Sequence, residues 1–145
     1  MERFAGGSVA NFFRRPFGPG WALVGDAGYT KDPITAQGIS DAFHDAELCS
    51  HAVDEWLSAG RSFDAAMSDY QRSRDARVLP LYEFTTQLAT LEPPPPAVAQ
   101  VLGAVSGNAA EMDAFVSVVA GTLSPAEFFA PEHVAQLVRA APGFA

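Results

Sequence analysis

One segment near the amino terminus, residues 20–38, constrains the fold more than any other part of the chain. It reads Gly-Trp-Ala-Leu-Val-Gly-Asp-Ala-Gly-Tyr-Thr-Lys-Asp-Pro-Ile-Thr-Ala-Gln-Gly. The apolar residues 21–24 predict a short buried strand, and Gly25 allows the backbone to turn tightly after it. Asp26 then lies at the carboxyl end of that strand, where open α/β sheets bind ligands. A carboxylate in this position can accept hydrogen bonds from ribose or polyol hydroxyl groups.

A helix is predicted to follow this loop, beginning at Gly38 and ending near Leu57. Its first-turn N–H groups have no acceptors within the helix, and they point back toward the loop. These donors and the positive end of the helix dipole stabilise partial negative charge on a ligand held by Asp26. Because Gly38 has no side chain, a flat ring can approach the helix start. The segment therefore predicts a ligand site between Asp26 and the helix.

Over residues 25–46 the chain resembles the second FAD-binding segment of flavoprotein monooxygenases of the para-hydroxybenzoate hydroxylase fold. That segment reads approximately Gly-Asp-Ala-Ala-His-x-x-x-Pro-x-x-Gly-Gln-Gly-x-Asn-x-Ala-x-x-Asp-Ala. Departures from it are Gly28 for alanine, Tyr29 for histidine, Ala36 for the first glycine of Gly-Gln-Gly, and Ser40 for asparagine. The residues that agree with the pattern are Gly25, Asp26, Ala27, Pro33, Gln37, Gly38, Ala42, Asp45 and Ala46.

The resemblance implies roles for several residues of the loop. Asp26 would hydrogen-bond the ribityl chain of FAD, and Pro33 would lie near the reactive face of the isoalloxazine ring. Backbone amides around Gly38 and Ile39 would face its N1–C2=O edge, where reduced flavin carries negative charge. No catalytic residue and no metal ligand is assigned. The implied cofactor-binding residues are Gly25, Asp26, Pro33, Gln37, Gly38 and Ile39.

The activity implied by the resemblance is that of an FAD-dependent oxidoreductase of the monooxygenase type. In this family NAD(P)H reduces the flavin, O₂ reacts with it, and an oxygen atom passes to a small organic substrate. The sequence leaves open the substrate, the choice between NADH and NADPH, and the choice between hydroxylation, halogenation, epoxidation and dehydrogenation. A non-catalytic helical interaction module descended from such an enzyme is the alternative.

A βαβ unit with a glycine-rich turn binds the ADP half of FAD in this family, and the 145 residues contain no such unit. The run Gly-Pro-Gly-Trp-Ala-Leu at residues 18–23 precedes a strand instead of following one, so it is better interpreted as a turn. We therefore expect a carboxyl-terminal fragment of an α/β FAD-binding (Rossmann-like) flavoprotein fold. Within this chain the fold is predicted to be mainly α, with a short amino-terminal β segment. Alone the chain would be inactive, with uncovered apolar surface that binds a missing amino-terminal half or a second copy.

Beyond the motif the chain predicts helices separated by clear stops. Residues 1–60 are interpreted as the last segment of an FAD-binding domain, and residues 61–145 as a helical subdomain. Ser62 is predicted to cap the second helix, and Pro80 is predicted to kink or break it midway. The first helix is predicted to carry one apolar stripe, which consists of Ile39, Ala42, Phe43, Ala46, Cys49, Val53, Trp56 and Leu57.

Local signals also mark the later helices. A proline run occupies residues 93–96 and predicts a rigid spacer or turn before the third helix. Asn108 and Glu111 form a capping-box-like pair after the stop at Gly107. Ser124 precedes a first-turn proline, and Pro131 opens the last helix.

The composition excludes several classes of protein. Nine Lys and Arg against seventeen Asp and Glu leave a net charge of −8, which argues against a nucleic-acid surface. No apolar run is long enough to cross a bilayer, and residues 1–7 lack the features of a signal peptide. Cys49 is the only cysteine, so an internal disulfide is impossible and a cytoplasmic location is predicted.

Three other groups of residues have residue types that suggest a site, and each has a simpler structural interpretation. His44, Glu47 and His51 suggest a helical metal face but lack a further ligand, so a solvated face is favoured. A second group of residues, Arg72, Arg74 and Arg77, could clamp an anion, although helical arginines more often pair with surface carboxylates. The third group, Ser40, Asp41 and His44, has the residue types of a hydrolytic triad but lacks a nucleophile elbow.

Overall fold

The computed structural model describes residues 10–140. Over this range the chain is mainly α-helical, with short β segments before the first long helix, which confirms the predicted balance of elements. The chain forms two compact units, of which the first ends at Thr86 and the second begins at Gln87. The strands are β1 (Phe12–Phe13), β2 (Phe17–Gly18), β3 (Trp21–Ala22) and β4 (Tyr29–Thr30). The helices are α1 (Gly38–Ser58), α2 (Phe63–Leu88), α3 (Pro96–Ser106), α4 (Ala109–Val119), α5 (Pro125–Phe128) and α6 (Pro131–Ala140).

The strands form two small antiparallel pairs. β1 pairs with β4, and β2 pairs with β3 in a hairpin that turns at Gly20, where φ is 80°. The prediction of a buried strand over residues 21–24 is wrong, because β3 is only two residues long and both are exposed. The Trp21 side chain lies across Gly18 and is 47% exposed. An apolar sequence predicts burial only where a further layer covers it, and within residues 10–140 β3 pairs only with β2.

Helix α1 begins at Gly38, as predicted, and ends at Ser58. Its fully buried residues are Asp41, Asp45 and Ala52, whereas Ile39 and Phe43 are 76% and 73% exposed. The predicted apolar stripe is therefore not buried along its length. The first two turns of α1 bury carboxylates and expose apolar side chains.

Helix α2 continues without interruption through Pro80. Of the two predicted effects of this proline, a kink or a break, the break is therefore wrong, and burial of Val78 and Leu81 on either side offers the physical reason. The core of the first unit lies between β2, α1 and α2. It consists of Phe17, Ala52, Ala66, Met67 and Tyr70, with Leu48, Cys49, Val53 and Phe63 partly buried against it. Because α2 contributes to this core, the first compact unit extends beyond the motif-bearing residues 1–60.

The second unit consists of α3 to α6. Asn108 caps α4, since its side-chain oxygen accepts from the N–H groups of Ala110 and Glu111 at 3.1 and 3.4 Å. The Glu111 carboxylate does not complete a capping box; it lies 3.1 Å from His133 Nε2. Ser124 precedes α5 without a side-chain cap hydrogen bond. In the described part of this unit, up to residue 140, the buried apolar side chains are Val101, Ala104, Val105, Val118, Phe128 and Leu137.

Among the described residues, no helix combines the length and the apolar character that crossing a membrane requires. The predicted absence of a signal peptide concerns residues 1–7, which lie outside the described range.

Candidate functional site

Gly25 and Asp26 lie in a single 3₁₀ turn, Gly25–Ala27, which separates them from β3. Gly25 has a φ of 54° and is buried directly against α1. A Cβ at this position would lie 2.9 Å from the Ala42 Cβ, so only glycine allows the turn to pack this closely. The turn therefore rests on the first part of α1.

The Asp26 side chain is brought to the amino terminus of α1. Asp26 is exposed, and its Oδ1 atom lies 3.9 Å from the point that a Cβ of Gly38 would occupy. Its carbonyl oxygen accepts a hydrogen bond from Thr30 Oγ1 at 3.2 Å, which holds the turn to β4. The structure thus places an exposed carboxylate beside an exposed helix start that has no side chain.

Pro33 opens a second 3₁₀ turn, Pro33–Thr35, in the loop before α1. Asp32 caps this turn by accepting from the Ile34 N–H at 3.0 Å, and its own N–H donates to Asn11 Oδ1 at 2.7 Å. Pro33 and Ile34 are both exposed. The predicted flavin-face residue therefore lies on the outer side of an anchored loop.

Ala36 ends this turn in the left-handed conformation, with φ 54° and ψ 29°. This is the position at which the flavoprotein pattern has the first glycine of Gly-Gln-Gly. Glycine adopts this conformation without the steric conflict that a Cβ creates. The departure of this chain from the pattern thus falls at a position where the backbone favours glycine.

Gln37, Gly38 and Ile39 form the start of α1, and they differ in exposure. Gln37 is buried; its carbonyl accepts from the Asp41 N–H at 2.9 Å and its Nε2 donates to the Thr35 carbonyl at 3.4 Å. Gly38 and Ile39 are exposed. The geometry therefore makes Gly38 and Ile39 accessible to a ligand, while Gln37 stabilises the loop from within.

A layer of buried charge lies beneath this loop, and sequence reasoning did not identify it as part of the site. Lys31 Nζ lies 2.5 Å from Asp41 Oδ2, and each side chain is only 5% exposed. Asp45 Oδ2, one turn further along α1, accepts from the Gly25 N–H at 3.0 Å. The available signal was the pair of acidic residues one turn apart on a helix, next to a lysine in the preceding loop.

Arg74 of α2 completes this layer and is fully buried. It donates to Asp75 Oδ1 and to the Arg14 carbonyl, at 2.7 and 3.1 Å, and its guanidinium lies 4.7 Å from the centre of the Phe13 ring. Within residues 10–140, Arg74 Nη1 and Asp45 Oδ1 are buried without a hydrogen-bond partner. Burial raises the pKa of Asp45. The hydrogen bond from the Gly25 N–H and the positive charge of Arg74 offset part of this increase.

Burial also raises the pKa of Tyr29, and the nearby charges of Asp41 and Asp45 add to the effect. The Tyr29 hydroxyl, at the junction of β4 and the charged layer, therefore holds its proton more tightly than an exposed tyrosine does. Cys49 lies further along α1, and burial raises the pKa of its thiol, which disfavours the reactive thiolate.

The remaining sets of candidate residues do not form sites. The three arginines have separate partners: Arg72 pairs with Asp69, Arg74 with Asp75, and Arg77 with Asp41. The triad residues diverge, since Asp41 is buried against Lys31 while Ser40 and His44 are exposed. His44 Nδ1 lies 3.9 Å from Glu47 on the surface, and the described part of the chain contains no cluster of three or more side chains suited to a metal ion.

Comparison with known proteins identifies no relative: no protein-family model, no curated protein and no solved structure matches the chain.

Proposed function

We propose that residues 25–39 bind the ribityl and isoalloxazine parts of FAD, within an FAD-dependent oxidoreductase of the monooxygenase type. The observation that carries this proposal is the exposed Asp26 carboxylate beside the side-chain-free start of α1 at Gly38. The complete enzyme would have a Rossmann-like FAD-binding fold, would use NAD(P)H and O₂, and would act on a small organic substrate in the cytoplasm.

The chemistry of the two groups fits the two parts of a flavin. Asp26 supplies acceptor atoms only, which suits the hydroxyl groups of the ribityl chain. The free N–H groups and the dipole of α1 suit the N1–C2=O edge, which carries negative charge in reduced flavin. FAD itself supplies the redox and oxygen chemistry, and these residues bind and orient it. Pro33, on the exposed side of the loop, is proposed to lie near the ring.

The affinity of this chain alone for FAD is expected to be low. Residues 25–39 would contact only the flavin half, whereas association opposes binding by about 4–15 kcal/mol before any contact is made. We therefore expect a colourless purified chain and an FAD affinity no tighter than the high micromolar range, or about −5 kcal/mol.

Nuclear magnetic resonance titration tests this proposal at such affinities. FMN and FAD should both shift amide signals of residues 25–39, with dissociation constants that agree within about threefold because the ADP half finds no contacts here. ADP alone should leave these signals unchanged. A yellow chain that retains FAD through gel filtration would show that the site is more complete than proposed.

The Asp26→Ala variant tests the key residue. Loss of a charged acceptor should weaken FMN binding by about 1.5–3 kcal/mol, or roughly 10- to 150-fold. Asp113→Ala is the matched control, because it removes an exposed carboxylate from α4 in the other unit. FMN shifts of equal size in wild type and Asp26→Ala would exclude the assigned role.

A non-catalytic helical interaction module is the second candidate function. It is favoured by the exposure of Ile39 and Phe43, 76% and 73%, on the first two turns of α1. The same titration separates the two candidates, since a module that retains the motif only as a scaffold would show no FMN shifts at residues 25–39.

A further inference from the structure

The loop that carries the proposed flavin contacts is closed by one buried ion pair. Lys31 lies directly after β4, and Asp41 lies in the first turn of α1. Their side chains meet at 2.5 Å with each 5% exposed. The residues between them include Pro33, Gly38 and Ile39, all exposed. The pair thus joins the two ends of the ligand-facing segment, residues 32–40, on its buried side.

The burial of this pair makes a purely stabilising role a poor explanation. Removing two charges from water opposes folding, and apolar side chains of similar volume often replace a buried pair without loss of stability. In some proteins a buried pair supplies instead a directional contact that only one arrangement of the chain satisfies. Arg77 adds a second cation to Asp41, at 3.8 Å from Oδ1, and its side chain is 36% exposed.

Further contacts attach the same segment at defined points. Thr35 Oγ1 and Thr85 Oγ1 are buried and 3.0 Å apart, which attaches the middle of the loop to α2. The Asp32 N–H donates to Asn11 Oδ1. The conformation they hold includes the left-handed Ala36, which an unrestrained alanine disfavours. The loop is therefore held by specific contacts against its intrinsic backbone preference.

We propose that Lys31 and Asp41 are positioning residues of the flavin site: their buried ion pair holds residues 32–40 in the conformation that presents Pro33 and the start of α1 to the ring. This inference rests on the flavin-binding function proposed above. It predicts that the pair controls ligand affinity and loop order separately from global stability.

The test replaces the pair by apolar side chains in the whole chain, as Lys31→Met, Asp41→Leu and the double variant. Asp41→Leu should be less stable than wild type, because it leaves the buried Lys31 ammonium without its carboxylate. Lys31→Met should cost less stability, because Arg77 still pairs with Asp41. The double variant should regain wild-type stability. Its FMN dissociation constant should nevertheless rise at least tenfold, and its amides at residues 34–37 should exchange with deuterium at least tenfold faster, while the amides of Tyr70 and Val78 stay unchanged.

Two controls accompany this test. Lys31→Arg keeps the charge and should bind FMN within about threefold of wild type, since a guanidinium also forms a charge-assisted hydrogen bond to the Asp41 carboxylate. Arg72→Met removes a cation from an exposed ion pair on α2 and should change neither FMN affinity nor loop exchange. If the apolar double variant fails to fold, Lys31→Met combined with Asp41→Asn removes both charges with less change in shape, and it should show the same losses at the loop.

The outcomes separate this inference from the function on which it rests. Wild-type FMN affinity and wild-type loop exchange in a stable variant without the ion pair would overturn the positioning role and leave flavin binding intact. Absence of FMN binding in wild type would overturn the proposed function, and the positioning role with it.

Discussion

Ala36 shows how a single backbone conformation limits the candidate site. Its φ of 54° and ψ of 29° place the backbone of this residue in the left-handed region, although alanine has a Cβ. For residues with a Cβ this conformation costs about 1–2 kcal/mol relative to the right-handed one. The contacts of neighbouring residues hold it in place, including the hydrogen bond from its own N–H to the Pro33 carbonyl at 2.8 Å.

We predict that Ala36→Gly increases the free energy of unfolding by about 0.5–1 kcal/mol, because relief of the strain exceeds the added entropy of glycine in the unfolded chain. Urea unfolding followed by circular dichroism measures the change. Ala76→Gly, at an exposed position within α2, is the control and should lower stability by about 1 kcal/mol. Equal losses in the two variants would show that Ala36 is not strained.

Asp45 is the second residue from which a measurable effect is expected, here on the pH dependence of stability. Burial raises its pKa above 3.8, the value for an unperturbed side chain, so the folded chain holds the proton more tightly than the unfolded chain does. By linkage, the contribution of Asp45 to stability then falls as pH rises through the folded pKa and increases as pH falls. The variant Asp45→Asn removes this dependence and retains an oxygen that can accept from the Gly25 N–H.

We therefore expect the stability of wild type relative to Asp45→Asn to increase as pH is lowered from about 7 to about 4. Urea titrations at each pH measure the free energy of unfolding of both proteins. Subtracting one value from the other removes the contributions of the titrating groups that the two proteins share. A difference that decreases over this range would mean that the pKa of Asp45 is lowered by its partners instead of raised by burial.

At the scale of elements, the two long helices depart from the behaviour that their sequences favour. Asp41 and Asp45 are buried at the start of α1, where Asp41 pairs with Lys31 and Asp45 accepts a hydrogen bond from the Gly25 N–H. Helix α2 accommodates Pro80, which has no N–H to donate to the carbonyl one turn earlier. In both helices the contacts of the folded chain outweigh a local preference.

Pro80→Ala should stabilise the protein by about 1–2 kcal/mol, since it restores one helical hydrogen bond and removes the steric conflict of the ring, less the entropy gained by the unfolded chain. Thermal and urea unfolding measure the effect. Pro131→Ala is the matched control, because a proline in the first position of α6 has no hydrogen bond to restore and is tolerated there. A loss of stability in Pro80→Ala would show that the proline contributes packing that outweighs the missing bond.

At the scale of the whole molecule, charge and exposed apolar surface have opposite effects on association. The net charge of −8 keeps copies of the chain apart, and salt screens this repulsion. On α1, Phe43 and Leu57 are 73% and 67% exposed, which favours association.

We predict that the chain self-associates reversibly through α1 and that added salt strengthens the association, as measured by sedimentation equilibrium. The double variant Phe43→Ser and Leu57→Ser should remain monomeric under conditions in which wild type associates. Leu91→Ser, which removes a leucine that is 80% exposed in the loop before α3, is the control and should associate like wild type. A monomeric wild type at high protein and salt concentration would contradict the prediction.

The sequence by itself determined where most helices begin, since caps, glycine stops and first-turn prolines act within a few residues of each boundary. The starts of α1 at Gly38, α4 after Asn108 and α6 at Pro131 follow from such signals. The order of turn, loop and helix over residues 25–39 was also predictable, and the flavin hypothesis depends on it. These features need no knowledge of distant residues.

Only the tertiary structure decided which faces are buried. It exposed Trp21, buried Asp41 and Asp45, and extended α2 through Pro80. The physical reason is that burial depends on partners far along the chain. The Asp45 acceptor lies 20 residues from the Gly25 N–H, and the Arg74 guanidinium lies 60 residues from the Arg14 carbonyl to which it donates.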